Sequence, residues 1–142
     1  MHLRQKILAE ARTWLDVPFR HQGRNRAHGI DCVGLVIKVA EEFNLLGGFD
    51  VSDYRREPDQ YKFLDHFKEQ MSEKLPADRK PGDVLLMRDR VFTCHSVFYD
   101  VVNGKEMIVH SFATRRKVVE EELTDEWRRN ITHCFEYKGV DD

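Results

Sequence analysis

The sequence predicts an α+β fold in which helices come first and a central antiparallel β-sheet packs against them. Two observations predict this fold. Apolar residues recur at helical spacing up to about residue 74, and from residue 84 onward the chain consists of short β-branched and aromatic runs separated by turns. No repeat, low-complexity stretch or linker interrupts the 142 residues, so we expect one domain over residues 1–142.

The first predicted helix spans residues 3–15 and is amphipathic, because its apolar side chains recur every three or four positions with charges between them. Pro18 is expected to end this helix, since proline is poorly tolerated in a helix interior. The polar and basic stretch over residues 20–29 contains Gly23 and ends at Gly29, and it is predicted to be a loop.

The second predicted helix spans residues 32–43 and is apolar nearly all round, which predicts that it lies in the middle of the domain. Asp31 is a favourable N-cap residue directly before this helix, and Gly47 and Gly48 follow its end. The β-branched residues of the stretch are also compatible with a buried strand. Its length and the Asp31 cap favour the helix.

A third amphipathic helix is predicted over residues 59–74, and a Pro-Gly-Asp turn follows at residues 81–83. The strands come after this turn, and Asn103 with Gly104 indicates a tight hairpin between two of them. The predicted strands span residues 84–87, 91–101, 106–112, 117–119 and 131–137.

The composition excludes several classes of protein. The formal net charge is −2, which argues against bulk electrostatic binding to nucleic acid or anionic lipid. Cys32, Cys94 and Cys134 are odd in number and far apart in sequence, so reduced thiols are expected rather than a disulfide framework. The N-terminus lacks the apolar core of a signal peptide, and no stretch reaches transmembrane length. We therefore expect a protein that is cytoplasmic as synthesised, with no nucleic-acid partner and no membrane insertion.

Three residues form a candidate catalytic group. Cys32 stands at the predicted start of a helix, where the helix dipole favours the thiolate. His95 lies in the strand after the Pro-Gly-Asp turn, and His110 lies across the predicted hairpin, where the two side chains can lie next to each other. His95 is then the base that takes the thiol proton and His110 orients it, which is the arrangement of a catalytic triad.

Other reactive side chains are interpreted as structural, because isolated histidines and cysteines are more often hydrogen-bonded or core residues than catalysts. The acidic run 120–122 and the basic run 115–117 are predicted to be solvated surface, and the basic run is also compatible with holding an anionic substrate. No metal-ligand spacing is present, so no metal or other cofactor is expected, and no nucleophile elbow supports Ser96 or Ser111. The residues interpreted as structural are His2, His28, His66, His133, Cys94 and Cys134.

Four blocks of the sequence resemble, in the same order, the NlpC/P60 family of cysteine peptidases. Residues 31–36, D-C-V-G-L-V, resemble the D-C-S-G-[LF]-[VI] signature of that family, and residues 81–84 resemble its P-G-D-L turn. His95 matches the histidine that opens the H-V-G-I-Y strand, and His110 matches the third polar catalytic residue in the M-I-H-A segment. The resemblance covers about residues 5–115.

The resemblance implies a papain-like NlpC-type fold and a cysteine peptidase that hydrolyses amide bonds in peptidoglycan stem peptides. The usual target is the bond between D-γ-glutamate and a diamino acid. Residues 18–24 together with 29–32 are most similar to small single-domain members carried by phages, prophages and gene-transfer particles. This similarity implies assembly with phage tail proteins and action on the cell wall from the tail.

The sequence departs from the family pattern at two positions. Val33 stands where many members have serine, and Phe19 stands where many have a tyrosine whose hydroxyl lines the oxyanion region. A donor from His21 or Gln22, together with the backbone N–H of Cys32, is therefore expected to hold the oxyanion.

Asp31, which directly precedes the nucleophile, belongs to the same substrate vicinity.

Two alternatives to a stem-peptide peptidase stay open. One is a structural tail protein that has kept the fold and lost useful activity. The other is an amidase or acyltransferase on the same fold, because hydrolysis and transfer differ in whether water or an amine reaches the thioester.

Overall fold

The protein is represented by a computed structural model that describes residues 2–51, 60–89 and 92–140. Three helices cover one face of an antiparallel sheet and a short fourth helix lies against the other face, which confirms the predicted α+β architecture. Within the described residues, no helix is both long and apolar enough to cross a membrane. The helices are α1 (Leu3–Arg12), α2 (Cys32–Glu42), α3 (Gln60–Gln70) and α4 (Asp125–Arg129).

The described part of the main sheet has six strands in the order β3-β8-β4-β5-β6-β7, and every neighbouring pair is antiparallel. A separate two-stranded ribbon, β1 with β2, lies directly before α2. The strands are β1 (Arg24–Asn25), β2 (Gly29–Ile30), β3 (Met71–Lys74), β4 (Val84–Asp89), β5 (Phe92–Val102), β6 (Lys105–Phe112), β7 (Lys117–Glu122) and β8 (Ile131–Tyr137).

Alternate residues of each strand divide the sheet into two apolar faces, as the two-residue period of a strand requires. On the helical face, Leu35 and Val39 of α2 pack with Phe98 of β5 in the larger core cluster. On the opposite face, Val97 of β5 and Ile108 of β6 form a smaller cluster, which Trp127 of α4 partly covers. Successive residues of a strand therefore lie on opposite faces, so the position of a residue in its strand decides which face of the sheet its side chain is on.

The end of the first helix and the structure of the loop after it differ from prediction. The first helix ends at Arg12 rather than near residue 15, because the chain enters turns over residues 13–16 before it reaches Pro18. The predicted loop over residues 20–29 contains the β1–β2 ribbon, whose turn is closed by the side chain of Asn25. Its Oδ1 accepts the N–H groups of residues 27 and 28 at 2.7 and 3.1 Å, a geometry that local asparagine side chains favour.

The ends of the second and third helices also differ from prediction. α2 ends at Glu42, and Asn44, with φ of 52°, is the first residue after it in the left-handed region, ahead of Gly47 and Gly48, which also have positive φ. The third helix ends at Gln70, since residues 71–74 form β3 instead. These four residues pair with β8, so the ladder of interstrand hydrogen bonds outweighs the helical pattern.

The five predicted strands are present in the predicted order as β4 to β8, most with extended bounds, whereas β1, β2 and β3 were not predicted. β7 continues from Lys117 to Glu122, so the acidic run 120–122 belongs to a strand, in which Glu120 and Glu121 are half-buried and Glu122 is exposed. α4 was not predicted from the sequence. Residues 59 and 91, which the predicted third helix and second strand include, lie outside the described residues, as does the side chain of Cys94.

Candidate active site

The helix α2 begins at Cys32, and its start is capped as the sequence predicts. The carboxylate of Asp31 accepts the backbone N–H of Gly34 at 2.8 Å, which is the hydrogen bond expected of an N-cap residue. Cys32 is half-buried at the first helical position. A thiol at this position lies in the positive field of the helix N-terminus, which favours its ionised form.

The glycine of the D-C-V-G motif is explained by close packing at the start of α2. A Cβ atom on Gly34 would lie 2.6 Å from the carbonyl oxygen of Gly23 and 2.7 Å from Nη1 of Arg24. The backbone oxygen cannot move aside cheaply, so any larger residue would push the preceding loop off the helix. Gly34 thus fixes how closely residues 20–24 approach the candidate nucleophile.

The loop that carries Phe19, His21 and Gln22 is tied to the residues just before Cys32. The N–H of Gln22 donates to Oδ2 of Asp31 at 2.8 Å, so one carboxylate caps the helix and holds the loop. The N–H of residue 20 donates to the carbonyl of Ile30 at 3.1 Å, and the N–H of Phe19 donates to the carbonyl of residue 116 at 2.8 Å. The loop is therefore tied to Ile30 and Asp31, directly before Cys32, and the backbone N–H groups of residues 19, 20 and 22 are already bonded.

The strands β5 and β6 separate at the end that carries the two candidate histidines. Within the described residues, their pairing register runs from the hairpin only as far as Phe98 opposite Val109. β6 nevertheless stays paired with β7 up to Phe112, and β5 stays paired with β4, where Met87 lies opposite His95. The sheet is thus opened between two of its central strands, at the position where His95 and His110 lie.

The residues that precede α2 are attached to this opening. Ser111 of β6, the neighbour of His110, donates from its Oγ to the carbonyl oxygen of Ile30 at 2.6 Å. Both residues are buried. Since Ile30 stands two positions before Cys32, this hydrogen bond positions the start of α2 at the edge of β6 beside the opening.

The histidine pair spans the opening, which confirms the predicted adjacency of the two side chains. Nε2 of His95 lies 2.7 Å from Nδ1 of His110, a hydrogen bond between the rings. His95 is 7% exposed and His110 is fully buried. Both lie on the face of the sheet that α4 covers, the same face as Val97 and Ile108, whereas the body of α2 packs on the other face.

Aromatic side chains surround the histidine pair and remove it from water. The ring of Phe112 stacks on His110 with centroids 5.0 Å apart and lies 5.2 Å from His95. Trp127 of α4 meets His110 edge-on at 5.6 Å. Desolvation by this burial, together with the proximity of His110, lowers the pKa of His95 well below its ordinary value. His95 is therefore a neutral imidazole at neutral pH, which is the form that can accept a proton.

A fourth polar side chain extends the pair, and the sequence analysis missed it. Oε2 of Glu121 lies 2.9 Å from Nε2 of His110. The interpretation of Glu121 as solvated surface is wrong, because Val119 of β7 lies opposite His110 and Glu121 is two residues further along on the same face. The alternation of residues 117–122 on a strand was the sequence pattern that could have indicated this placement.

The other histidine, cysteine and carboxylate side chains that the structure describes form no metal site and offer no second nucleophilic cysteine. Among the described residues, no group of three or more histidine, cysteine or carboxylate side chains is arranged to hold a metal ion. Cys134 is buried, and burial raises the pKa of its thiol to about 12. Cys32 is thus the described cysteine whose position suits nucleophilic chemistry.

Comparison with known proteins supports the fold and the order of these elements. The model of the NlpC/P60 family matches residues 16–136. A solved structure of an NLP/P60-family protein from Staphylococcus aureus, described as similar to lipoprotein, is 17% identical with a TM-score of 0.64, and the match covers 98% of this chain and 42% of that one. No curated protein sequence matches the chain.

Two further solved structures match over nearly their whole length. The NlpC/p60 domain of the peptidoglycan hydrolase SagA is 18% identical with a TM-score of 0.63, and the match covers 93% of this chain and 97% of that domain. An N-acetylmuramoyl-L-alanine amidase from Bacteroides uniformis is 15% identical with a TM-score of 0.63, with 93% and 96% covered. These structures share the papain-like NlpC-type fold that the sequence predicts.

Proposed function

The chain belongs to the NlpC/P60 family, and we propose that it is a cysteine peptidase that hydrolyses amide bonds in peptidoglycan stem peptides. Its catalytic triad would consist of Cys32 as the nucleophile, His95 as the base and His110 as the residue that orients His95. The observation that carries this proposal is the ring-to-ring hydrogen bond of 2.7 Å between His95 and His110 at the opening of the sheet, beside the start of α2.

The proposed first step is a proton transfer across this opening. Because Nε2 of His95 is engaged with His110, its Nδ1 is the nitrogen that would take the proton of Cys32. The thiol S–H bond breaks, and sulfur attacks the carbonyl carbon of the scissile amide to form a tetrahedral intermediate. α2 and the histidine pair lie on opposite faces of the sheet, so the separation of β5 from β6 provides the route between them.

The oxyanion of that intermediate would be held by the backbone N–H of Cys32 and a second donor from residues 19–22. The backbone N–H groups of residues 19, 20 and 22 are already bonded. The second donor is proposed to be the side chain of His21 or Gln22, in the loop that Asp31 holds beside the start of α2. Asp31 supports the same region as an acceptor, since its carboxylate holds both the loop and the helix cap.

Collapse of the intermediate completes the acylation half of the reaction. The C–N bond breaks as the His95 imidazolium gives its proton to the leaving amine, and a thioester remains on Cys32. His95, neutral again, then takes a proton from water as the water attacks the thioester carbonyl. The second collapse releases the carboxylic acid and returns the proton to the Cys32 sulfur.

The proposed function is tested with purified peptidoglycan and mass spectrometry of the soluble fragments. Wild-type protein is expected to release stem-peptide fragments, and Cys32→Ala is expected to release none. Cys134→Ala is the matched control, because it removes a buried thiol of β8, a strand that β4 separates from β5, and it should retain activity. Undiminished release by a folded Cys32→Ala protein would refute the assignment of the nucleophile.

Mass spectrometry of the same fragments also distinguishes endopeptidase cleavage within the stem peptide from a second candidate activity. The similarity to the Bacteroides uniformis amidase favours cleavage at the muramoyl–L-alanine bond as that candidate. Amidase action would release complete stem peptides with a free L-alanine N-terminus, whereas endopeptidase action would leave L-alanine and glutamate on the glycan. An acyltransferase would give products joined to an added amine.

An inactive structural protein on this fold is distinguished by the reactivity of its thiol. If His95 activates Cys32, iodoacetamide should alkylate Cys32 faster in the wild type than in His95→Gln at the same neutral pH. Peptide mapping by mass spectrometry assigns the label to Cys32. Equal rates in the two proteins would indicate a structural cysteine.

We also propose that the protein acts as a component of a phage tail or a tail-like particle. This part rests on the resemblance of residues 18–24 to members carried by such particles. The test is proteomic analysis of purified particles from the source strain after prophage induction. Detection of the chain at a fixed ratio to tail proteins is expected, and its absence from intact particles would contradict the proposal.

A further inference from the structure

Three side chains form a continuous line across three strands on one face of the sheet. His95 of β5 bonds to His110 of β6 at 2.7 Å, and His110 bonds through its other nitrogen to Glu121 of β7 at 2.9 Å. Arg115, in the turn before β7, lies 3.6 Å from the second carboxylate oxygen of Glu121. The carboxylate therefore anchors the end of the line that is far from the sheet opening.

The chemistry of these groups determines where each proton sits. Hydrogen bonds from His110 and the nearby positive charge of Arg115 lower the pKa of Glu121, so its carboxylate is ionised and can only accept. Nε2 of His110 must then carry the hydrogen. In neutral His110 the other nitrogen, Nδ1, has a lone pair and accepts from Nε2–H of His95. In neutral His95 the remaining nitrogen, Nδ1, carries no hydrogen.

We propose that Glu121 is a positioning residue of the catalytic site, which acts through His110 to hold His95 in the tautomer whose Nδ1 accepts the proton of Cys32. The inference rests on the proposed function for its catalytic consequence, but the tautomers themselves do not depend on the substrate. Without an acceptor at Nε2, His110 gains access to the Nδ1–H tautomer, and His95 is then forced to place its hydrogen on Nδ1, the wrong nitrogen for a base.

Among the three side chains of the line, only His95 changes its number of protons in this step. The proton of Cys32 moves to Nδ1 of His95, and the resulting imidazolium keeps its Nε2–H bond to His110. His110 and Glu121 exchange no proton, so Glu121 stays ionised throughout. Its negative charge lies two hydrogen bonds from the imidazolium, which favours the charged form of His95 in an otherwise apolar and aromatic environment.

The first measurement is the tautomeric state of both histidines by ¹⁵N NMR of histidine-labelled protein. The wild type is expected to show hydrogen on Nε2 and none on Nδ1 in both His95 and His110, with assignments from single histidine variants. Glu121→Ala should shift both rings toward a mixture of tautomers. Glu122→Ala is the matched control, because Glu122 is exposed on the same strand and should leave the spectrum unchanged.

The second measurement is the rate of Cys32 chemistry in the same proteins. We expect Glu121→Ala to lower kcat for stem-peptide release and the alkylation rate of Cys32 by about 10–100-fold, the size of effect typical for residues that orient a reacting side chain. KM should change little. Glu121→Gln should recover part of kcat, since its amide oxygen can still accept from Nε2–H of His110.

These outcomes separate the inference from the proposed function. If wild-type protein releases no stem peptides but the tautomers and the alkylation rate respond to Glu121→Ala, the substrate assignment fails and the role of Glu121 stands. If Glu121→Ala remains folded with wild-type tautomers and an unchanged alkylation rate, the inference is refuted, whatever the substrate. An equal loss of alkylation rate in Glu122→Ala would also refute it.

Discussion

Two groups of buried polar side chains cross this sheet, and they differ in how their charges are compensated. At the β3–β8 edge, Asp83 is completely buried and its two oxygens accept from Arg4 at 2.7 Å and from Lys74 at 2.9 Å. Arg4 also bonds Glu136 of β8. Each described carboxylate of this cluster faces a cation, so the charges compensate one another and tie α1 to the sheet.

The line of His95, His110 and Glu121 carries a charged group at one end only. Glu121 pairs with His110 and Arg115, whereas His95, a neutral imidazole, lies at the opening of the sheet beside the start of α2. The comparison shows that burial of polar groups serves two purposes in one small domain. A closed network of compensated charges holds elements together, and a line that ends on a neutral imidazole prepares that side chain for a reaction.

Removing His95 should give the largest change, and it should affect activity far more than stability. His95→Gln is expected to lower kcat/KM for stem-peptide release by about 10²–10⁴-fold, the range for loss of a general base. The midpoint of urea unfolding at neutral pH should change little, because no ion pair is broken. His133→Gln, a partly buried histidine of β8, is the control and should retain activity.

Removing Arg4 should give the opposite result. Arg4→Met leaves buried Asp83 with only part of its compensating charge, and loss of one partner in such a pair typically costs about 3–5 kcal/mol. The expected result is a lower urea midpoint with unchanged kcat per folded molecule. Lys38→Gln, which breaks an exposed pair with Glu41, should cost at most about 0.5 kcal/mol. A loss of kcat in folded Arg4→Met would show that the two groups are coupled.

The sequence predicted the parts of this comparison that depend on local pattern. The capped start of α2 at Cys32 and the adjacency of His95 and His110 follow from an N-cap residue and a hairpin, and both are confirmed. Glu121 was missed because three consecutive glutamates resemble solvated surface, and only the register of β7 against β6 shows that the middle one faces His110. The single domain over residues 1–142 stays a prediction.

The wrong boundaries of the third helix and of β7 share one physical cause. Residues 71–74 and 117–122 take their conformations from the strands beside them rather than from their own sequence pattern. The opening between β5 and β6 is also a tertiary feature, since nothing in the sequence of either strand indicates where their pairing ends. Ser111, which lies beside this opening, and Glu121, whose placement depends on the register of β7, are therefore residues that sequence patterns identify poorly.

The dependence of stability on pH should distinguish the two groups further. Burial lowers the pKa of His95, so between the ordinary value of about 6.5 and its lower folded value the unfolded chain binds the proton and the folded chain does not. Stability is then fully present above about pH 6.5 and is lost as pH falls below it. For the uptake of one proton, the free energy of unfolding changes by at most about 1.4 kcal/mol per pH unit.

The measurement is urea unfolding of wild type and variants between pH 7.5 and 5, above the range in which carboxylates titrate. His95→Gln should flatten the profile most. Desolvation also lowers the pKa of His133, so His133→Gln should remove a smaller part, in keeping with its greater exposure. An unchanged slope in His95→Gln would mean that this histidine is not desolvated in the folded protein.

The smallest expected effect compares two buried serines beside the histidines. Ser111 donates to the carbonyl of Ile30 at 2.6 Å, whereas the hydroxyl of Ser96 is buried without a hydrogen-bond partner among the described residues. Ser111→Ala should cost about 0.5–1.5 kcal/mol, because the Ile30 carbonyl keeps its bond from residue 20. Ser96→Ala removes an unsatisfied group and should leave stability unchanged or raise it.

The two serine variants also test whether the attachment of α2 to β6 matters for chemistry. If the Ser111 hydrogen bond sets the distance between Cys32 and the histidine pair, Ser111→Ala should lower the alkylation rate of Cys32, while Ser96→Ala should not. Thermal unfolding and alkylation of the same samples give both readouts. A loss of stability without a change in alkylation rate would place Ser111 with the closed network around Asp83, as a residue that holds the fold and leaves the reaction unaffected.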